Sequence, residues 1–313
     1  MNNSRRTFIK NSSIILAGAG LLPHNNTIAM DKKEKLGIQL FSIDKEMHTD
    51  APNTLRWLKK IGYNYVEHAD YASRKFYGYS PKDFKNLIKD NGLSLLGGHT
   101  VLKQKHWNAA KNDFTKEWYN TIDDAALAQQ QCIISPWLEK DFWDEETEFK
   151  KFMDVFNKSG ELCKKAGLQF GYHNHDFEFT HTFNSLKLYD IILQQTDPGL
   201  VCQQLDIGNS CLESDSIKKL INKYPGRFRS MHVKDVIASG ERHRKYKSTI
   251  IGEGILDLVE IISLGRNQGG TCNFIIDQDD FSNNSPITIA AENFKALNNI
   301  RSINTSKANL KIA

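Results

Sequence analysis

Two histidines set two residues apart follow a short β-prone run near the middle of the chain. The run 168–171 leads into His173 and His175, and Asp176 and Glu178 follow directly. Side chains at positions i and i+2 of a strand share one face, so both imidazoles are expected on one side of the strand's carboxyl end. Imidazole is a common metal ligand and a good general base near neutral pH. The spacing therefore suggests metal binding or proton transfer, although two histidines can also simply hydrogen-bond within a turn.

Polar and titratable residues recur at the ends of the other apolar runs of the chain. Each one alone has an ordinary explanation, such as a carboxylate that caps a loop or a histidine satisfied inside the core. Their coincidence at nearly every run is uncommon in a purely structural protein and favours an active site. These residues are Gln39, Glu67, His68, His99, Asp206, His232, Lys234 and Asp277.

Four of these groups make a candidate site for a divalent metal ion. His173, Asp206, His232 and Asp277 together provide two nitrogen and two carboxylate ligands. Such a mixture suits Mn²⁺, Zn²⁺, Co²⁺ or Fe²⁺ better than Ca²⁺ or Mg²⁺. His175 is placed to act as a base, and Lys234, two residues beyond His232, to stabilise an oxyanion.

The elements that must position these residues alternate regularly along the chain. Eight apolar runs alternate with amphipathic helical runs, which predicts a parallel sheet covered by helices. The strands are predicted at 36–43, 63–68, 93–99, 132–137, 168–173, 200–206, 228–234 and 272–277. An open doubly wound sheet usually has a glycine-rich turn after its first strand, and Ser42–Lys45 contains no glycine.

We therefore expect an α/β fold, a (β/α)8 TIM barrel that forms a single domain over residues 31–313. In such barrels the active site lies at the carboxyl ends of the strands, where the polar residues fall here.

The first thirty residues are predicted to be an export signal and not part of the barrel. Arg5 and Arg6 precede a modest apolar run, Ile14–Leu22, as in a twin-arginine signal. This run is too short for a stable transmembrane helix. We therefore expect an exported, periplasmic protein with no stable membrane insertion.

The composition argues against a nucleic-acid partner. The chain has 313 residues, of which 25% are charged, and a formal net charge of only +4. Its lysines are spread along predicted helices and form no long basic block, so we expect no nucleic-acid binding.

Several motifs resemble the sugar phosphate isomerase/epimerase superfamily, the xylose-isomerase-like TIM barrels. The resemblance covers nearly all of the chain after the signal, and as a set the motifs are specific to the superfamily but not to one reaction. They are Leu36–Ser42, Tyr172–Phe179, Gln204–Asn209, Tyr224–Phe228, His232–Asp235 and Ile251–Gly254.

The resemblance implies a particular set of metal ligands. Members hold a divalent metal with a Glu, an Asp, a His and a Glu on strands five to eight. Asp206 and His232 match this pattern, whereas His173 and Asp277 stand where the family has Glu. Glu178 is an alternative source of the strand-five carboxylate.

Related dehydratases also have a histidine base two residues after the strand-five ligand, and a lysine two residues after the strand-seven histidine. His175 and Lys234 occupy those positions in this chain.

The resemblance implies a divalent-metal-dependent sugar isomerase or epimerase, or a lyase acting on a keto-sugar such as a 3-keto-glycoside. Either His175 or Glu178 would remove the proton next to the carbonyl, assisted by Lys234. Gln39, Glu67 and His99 are assigned to substrate binding. The expected partner is a small sugar or keto-sugar, and related barrels often form homodimers.

The departures at His173 and Asp277 leave a second hypothesis open. The barrel would then bind a saccharide without turnover, as an accessory to a neighbouring oxidoreductase or hydrolase.

Overall fold

Eight parallel strands close into a barrel in the computed structural model of the chain, and a helix follows each strand. The structure describes residues 34–241, 244–281 and 284–310. The strands are β1 (Lys35–Gln39), β2 (Tyr65–His68), β3 (Ser94–His99), β4 (Cys132–Ser135), β5 (Gln169–His173), β6 (Val201–Asp206), β7 (Ser230–Val233) and β8 (Asn273–Ile276).

The helices form the outer ring of the barrel. They are α1 (Asp44–Ile61), α2 (Pro81–Asp90), α3 (Lys116–Leu127), α4 (Glu146–Lys165), α5 (Leu188–Gln195), α6 (Ser214–Lys223), α7 (Leu258–Leu264) and α8 (Pro286–Leu310). The predicted TIM barrel is thereby confirmed, and each predicted strand is present within a few residues of its expected bounds. The predicted signal at 1–30 lies outside the described residues.

Additional helices and strands lie in the loops at the carboxyl ends of the barrel strands. One helical turn, Phe177–Thr180, follows β5 closely, and a hairpin formed by Asp235–Glu241 and Arg244–Thr249 follows β7. The hairpin was not expected from the sequence, because its strands are mostly polar. The buried carboxylate of Asp235 accepts hydrogen bonds from the backbone N–H groups of Val236, Gly252 and Gly254, and so ties the start of the hairpin to the segment beyond it.

The ends of the helices follow the local signals in the sequence. The hydroxyl of Ser80 accepts a hydrogen bond from the Asp83 N–H at 3.2 Å, and Pro81 occupies the first position of α2. Helix α1 begins earlier than predicted, at Asp44, and is interrupted at Asp50, whose φ of −155° is not helical. The Asp50 carboxylate caps the second segment of α1 by accepting from the Asn53 N–H at 3.1 Å.

The hydrophobic core lies between the outer faces of the strands and the helices. On β5, for example, the ring of Phe170 lies 5.3 Å and that of Tyr172 lies 5.8 Å from the ring of Phe156 on α4. All three side chains are fully buried. Burial of each such ring contributes about 1.5–3 kcal/mol to stability. The apolar outer shell leaves the barrel interior free to carry polar groups.

The strand register brings the carboxyl ends of β5, β6 and β7 to one level. His173 pairs with Gln204, and Asp206 pairs with His232. Parallel pairing around a closed barrel therefore gathers side chains from distant parts of the sequence at one mouth. Within the described residues, no helix combines the length and apolarity that a membrane crossing requires.

Candidate active site

Three side chains at the mouth of the barrel converge on one point. Asp206 ends β6, His232 lies on β7 and Asp277 directly follows β8. One donor atom of each lies within 4.8 Å of the others. The His232 Nδ1 atom is 3.9 Å from Asp206 Oδ2 and 3.5 Å from Asp277 Oδ2. We call these three residues the carboxylate–histidine cluster.

The Asp206 carboxylate is oriented by its surroundings. Its Oδ1 atom accepts hydrogen bonds from the backbone N–H groups of Gly208 at 2.8 Å and Asn209 at 2.7 Å. The Asn174 amide holds the Asp206 backbone through two hydrogen bonds of 3.0 Å. The Oδ2 atom is buried and has no hydrogen-bond partner within the described part of the chain. Asp206 therefore directs one free oxygen at the centre of the cluster.

Asp277 is oriented in a similar way from the opposite side of the cluster. The hydroxyl of Ser42 donates to its Oδ1 atom at 3.3 Å, while its Oδ2 atom lies 3.0 Å from the Lys234 ammonium. Although Asp is shorter than the Glu of the resembling family, Asp277 still reaches the cluster.

His232 is held by a carboxylate deeper in the barrel. Its Nε2 atom lies 2.8 Å from Glu67 Oε2, while its buried Nδ1 atom has no hydrogen-bond partner among the described residues. Burial alone would lower the pKa of His232, but Glu67 and Asp277 outweigh it and raise the pKa to about 10. Without a metal ion the ring is thus protonated, and a metal ion bound at Nδ1 would replace that proton. A carboxylate behind a metal-ligating histidine is the usual arrangement in metalloproteins.

A single amide sets the proton positions of two further histidines. The Gln204 Nε2 group lies 3.0 Å from both oxygens of Glu67, which only accept when ionised. Its Oε1 atom must therefore face the two rings, His99 Nε2 at 2.8 Å and His173 Nδ1 at 3.0 Å. Both of these nitrogens must donate, so each ring keeps its lone pair on its other nitrogen. The Gln204 amide thereby orients the polar interior of the barrel.

The carboxylate–histidine cluster meets the requirements of a divalent metal site. Two of its donor atoms, Asp206 Oδ2 and His232 Nδ1, are buried and make no hydrogen bond to the residues that the structure describes. Three protein ligands with open positions are typical of catalytic metal sites. Asp206, His232 and Asp277 would hold the ion, and one imidazole with two carboxylates suits Zn²⁺, Mn²⁺, Co²⁺ or Fe²⁺.

His173 lies beside this cluster. Its Nε2 atom is 3.8 Å from Asp206 Oδ2, and its ring lies 4.7 Å from that of His232. Burial and the neighbouring histidines hold the pKa of His173 well below its usual value. His173 is thus a neutral imidazole whose Nε2 lone pair is available as a further ligand.

His175 lies next to the cluster and is also neutral. Its ring is 5.1 Å from that of His173 and 5.0 Å from that of Trp137. Burial, together with the Lys234 ammonium, lowers the pKa of His175 to about 4. Its Nδ1 atom has no hydrogen-bond partner. His175 therefore has the protonation state that a general base needs near neutral pH.

Lys234 remains an ammonium ion despite its burial. Its Nζ atom lies 3.0 Å from Asp277 Oδ2 and 3.0 Å from the Asn209 side-chain oxygen. Burial lowers its pKa, but Asp206 and Asp277 outweigh this and raise the pKa above its ordinary value. The side chain packs over Gly208, where a Cβ atom would lie 2.7 Å from the Lys234 Cδ atom. A larger residue at position 208 would therefore displace the Lys234 side chain from the cluster.

Glu178 is not brought into the cluster. One carboxyl oxygen accepts from the Tyr172 hydroxyl, and the other accepts from the His175 N–H at 2.8 Å. Burial raises the pKa of Glu178 to about 8. In this environment Glu178 supports the His175 backbone, and its role as ligand or base stays a prediction.

The three residues assigned to substrate binding lie in different environments. Glu67 is only 1% exposed and is bonded to His232 and Gln204, so it supports the cluster from below, and its contact with a substrate stays a prediction. Gln39 is also buried and bonds to the Phe41 N–H at 3.3 Å. The side chain of His99 is 14% exposed and lines a crevice. Of the three, His99 is the one that a substrate can most directly reach.

Several supporting residues were missed in the sequence. Gln204 lies two residues before Asp206 on the same strand face, which is the signal that could have identified it. Asn174 lies between His173, the last residue of β5, and His175, and no pattern in the nearby sequence indicates its contact with the Asp206 backbone. Ser42 follows β1 and meets Asp277 only through barrel closure.

Two crevices open beside the carboxylate–histidine cluster. One has a volume of about 270 Å³ and is lined by His175, Lys234 and residues of the hairpin that follows β7. The other, the β2–β3 crevice, has a volume of about 480 Å³ and is lined by His99 and the loops after β2 and β3. A molecule over the cluster thus meets the proposed base on one side and His99 on the other.

Comparison with known proteins identifies a family and its members. The family model for xylose isomerase-like TIM barrels matches residues 55–300. An inosose dehydratase from Clostridium beijerinckii is 27% identical over 155 residues, 46% of this chain and 51% of that protein. An inosose dehydratase from Mesomycoplasma hyopneumoniae is 26% identical over 232 residues, 72% of this chain and 68% of that protein. The chain therefore spans about half the length of the first relative and about two thirds of the second.

Solved structures share the fold at low sequence identity. A sugar phosphate isomerase/epimerase from Parabacteroides distasonis superposes with a TM-score of 0.69 at 24% identity, covering 88% of this chain and 98% of that one. The IOLI protein, solved with a bound zinc atom, has a TM-score of 0.63 at 13% identity and covers 85% of this chain and 97% of that one. At these identities the likeness concerns the barrel.

Proposed function

This chain belongs to the family of xylose isomerase-like TIM barrels, and from that premise we propose that it is a divalent-metal-dependent enzyme that removes the proton next to the carbonyl of a keto-sugar. The observation that carries the proposal is the pair of buried atoms Asp206 Oδ2 and His232 Nδ1, which have no hydrogen-bond partner in the described ranges, beside the neutral ring of His175. When bound, the ion would polarise the carbonyl and lower the pKa of the adjacent C–H group.

The chain's own residues divide the proton transfers between them. His175 accepts the proton from carbon on its neutral ring. Lys234, which stays an ammonium ion, stabilises the negative charge that develops on the substrate oxygen. Gln204 and Glu67 keep the histidine rings of the interior in the tautomers that leave their lone pairs available.

A neutral base, His175, beside an ammonium ion, Lys234, favours elimination over epimerisation or isomerisation. An epimerase or isomerase benefits from a second base that returns the proton to a different face or carbon. Here Lys234, which lies 3.0 Å from Asp277 and lines the 270 Å³ crevice with His175, is an ammonium ion that has a proton to donate and no lone pair with which to accept one; the carboxylates of Asp176 and Asp279 also line this crevice. Loss of a leaving group next to the carbanion, with a proton supplied to that group, uses this pair directly. The resemblance to inosose dehydratases supports the same choice.

Isomerisation or epimerisation is the second candidate reaction, supported by the structural likeness to a sugar phosphate isomerase/epimerase. A barrel that binds a saccharide without turnover is the non-catalytic alternative. As to substrate and location, we propose a free keto-sugar or a 3-keto-glycoside, export through the twin-arginine signal, and Mn²⁺, Zn²⁺, Co²⁺ or Fe²⁺ as the metal. The bound zinc of the IOLI protein supports this choice of metals. A homodimer also stays a prediction.

Metal content and proton exchange test the proposal together. We expect about one divalent ion per chain in the purified protein and its loss in the Asp206→Ala, His232→Ala double variant. The matched control is the Asp215→Ala, His48→Ala pair, because these side chains are 81% and 51% exposed.

With 3-keto-glucosides or free keto-sugars in D₂O, NMR should show loss of the α-proton signal for the wild type and the control only. Stoichiometric metal without exchange on any keto-sugar would contradict the catalytic proposal. Saccharide binding without metal would favour the accessory role.

A further inference from the structure

The β2–β3 crevice adjoins the carboxylate–histidine cluster through one shared ring. His99 lines the crevice, and its ring stacks on that of His232 with 5.3 Å between centroids and 17° between planes. The strand order of the barrel places β2 and β3 on the opposite side from β6 and β7. A molecule that reacts beside His175 can therefore extend across the mouth into this crevice.

The volume of the crevice is large enough for a ligand group separate from the one that reacts. At about 480 Å³ it exceeds the crevice of about 270 Å³ that holds His175 and Lys234. Sites for whole small molecules span about 300–1,000 Å³. The β2–β3 crevice thus has room for a second molecular unit beside the reacting one.

One wall of the crevice is built at an energetic cost. Ser73 and Arg74 have φ values of 51° and 62°, a left-handed conformation that non-glycine residues rarely adopt. The buried Asp124 carboxylate holds this turn, accepting from Arg74 Nε at 2.9 Å, Arg74 Nη2 at 2.7 Å and the Tyr71 hydroxyl at 2.7 Å. Strained backbone of this kind clusters at sites that clamp ligands.

The lining of the crevice combines polar and apolar groups and is nearly balanced in charge. Arg74 is neutralised by Asp124, and Lys105 pairs with Glu117 at 2.6 Å. The remaining Lys103 is matched in number by Asp70. An isolated phosphate would be better served by a surplus of cations. A wall of paired charges, polar groups and apolar patches suits a neutral sugar ring, which presents hydroxyl groups at its edge and C–H groups on its faces.

Two uncharged donors in the lining are available to such a molecule. The Asn120 amide on α3 and the Thr100 hydroxyl after β3 line the crevice, and neither side chain makes a hydrogen bond to the described residues. Amide and hydroxyl groups both donate and accept, as sugar hydroxyls do. Both therefore fit the recognition of a sugar ring.

We propose that the β2–β3 crevice is the subsite for the second sugar unit of a keto-glycoside. The preferred substrate is then a disaccharide-like molecule and not a free monosaccharide. This inference rests on the proposed keto-sugar chemistry and adds the position and residues of the second subsite.

Calorimetric titration of the metal-loaded full chain tests this subsite, with glucose, maltose and cellobiose as probes. At least one disaccharide should bind about tenfold more tightly than glucose, a gain of about 1.4 kcal/mol. The Thr100→Val, Asn120→Leu double variant should lose that gain and still bind glucose within about twofold of wild type. The control is Asp123→Leu, which is exposed on the same helix outside the lining and should bind as wild type does.

Three outcomes would overturn the inference: equal binding of glucose and the disaccharides, an equal loss of both in the double variant, or tighter binding of glucose 6-phosphate than of any disaccharide. If keto-sugar proton exchange persists in any of these cases, the subsite alone fails. Stoichiometric metal without any saccharide binding or exchange would overturn the proposed function and the subsite with it.

Discussion

Two neighbouring glutamines on β6 offer a sharp test of how the interior of the barrel is organised. Gln204 faces inward and bonds to Glu67, His99 and His173. Gln203, one residue earlier, is equally buried, yet neither polar atom of its side-chain amide has a hydrogen-bond partner among the residues described. The substitutions Gln204→Leu and Gln203→Leu replace the same amide with the same apolar side chain, once where the amide is hydrogen-bonded and once where it is not.

We expect Gln204→Leu to lower the free energy of unfolding and Gln203→Leu to leave it unchanged or to raise it. Gln204→Leu removes the donor to a buried carboxylate and leaves two buried imidazole N–H groups without an acceptor. Each unsatisfied buried group costs about 1–3 kcal/mol, so the sum over these three groups is about 3–9 kcal/mol, less a small gain from the apolar side chain. Gln203→Leu removes a polar group that gains nothing from the described protein, and we expect a change between about zero and 2 kcal/mol of stabilisation.

Three measurements check this pair. Urea unfolding gives the two free energies, and calorimetric titration gives the affinity for Zn²⁺ or Mn²⁺. Loss of a group that supports metal ligands typically lowers metal affinity about 10–100-fold, and we expect this for Gln204→Leu only. Nitrogen-15 NMR of the histidine side chains should show that His99 carries its proton on Nε2 and His173 on Nδ1 in the wild type, with a mixture in Gln204→Leu.

The reasoning is refuted if both variants lose similar stability, or if Gln204→Leu keeps wild-type metal affinity and histidine tautomers. The first result would mean that burial of an amide is all that counts on β6. The second would mean that the rings are oriented by packing alone.

Further predictions concern the metal, the two proposed catalytic groups and one buried acid. Removal of the metal with a chelator should lower the melting temperature by about 5 °C relative to protein with metal at a hundred times its dissociation constant, measured by calorimetry. His175→Gln should slow α-proton exchange by about 10²–10⁴-fold with little change in KM; an equal loss of binding would contradict its role as base. Lys234→Met should slow the reaction by about 10²–10³-fold yet tighten metal binding, because a like charge leaves the site. Burial raises the pKa of Glu178 from 4.5 to about 8, so its contribution to stability is complete below about pH 4.5 and is lost as the pH rises through 8. Between pH 5 and pH 9 the free energy of unfolding, measured in urea, should therefore fall for both proteins, and the fall should be at least about 1 kcal/mol smaller for Glu178→Gln than for the wild type.

The main features of the fold could be read from local patterns. Apolar runs alternating with amphipathic helices specify a parallel barrel, because each strand must be buried on its outer face and each helix on one side. The alternation of side chains along strands then predicts that Asp206, His232, Asp277, His175 and Lys234 meet at one mouth. The structure brings these five side chains together, although their catalytic and metal-binding roles stay predictions.

The supporting contacts could not be read in this way, because they join residues that are far apart in the chain. Glu67 and His232 are separated by 165 residues, and Gln204 and Glu67 by 137. Glu67, assigned to substrate from its position at a strand end, lies one layer lower in the barrel. The shift in register between β2 and β3 at Val66 and Glu67 has no signature in residue type or spacing.

Strand and helix order, the barrel, and the set of residues at its mouth thus follow from the amino-acid sequence, since they depend on periodicity and on the polarity of strand ends. Which nitrogen of each histidine is free, which carboxylate supports and which faces the centre, and where Glu178 turns are decided by tertiary structure. These properties depend on hydrogen bonds across the closed barrel, and such bonds exist only once all eight strands have found their register.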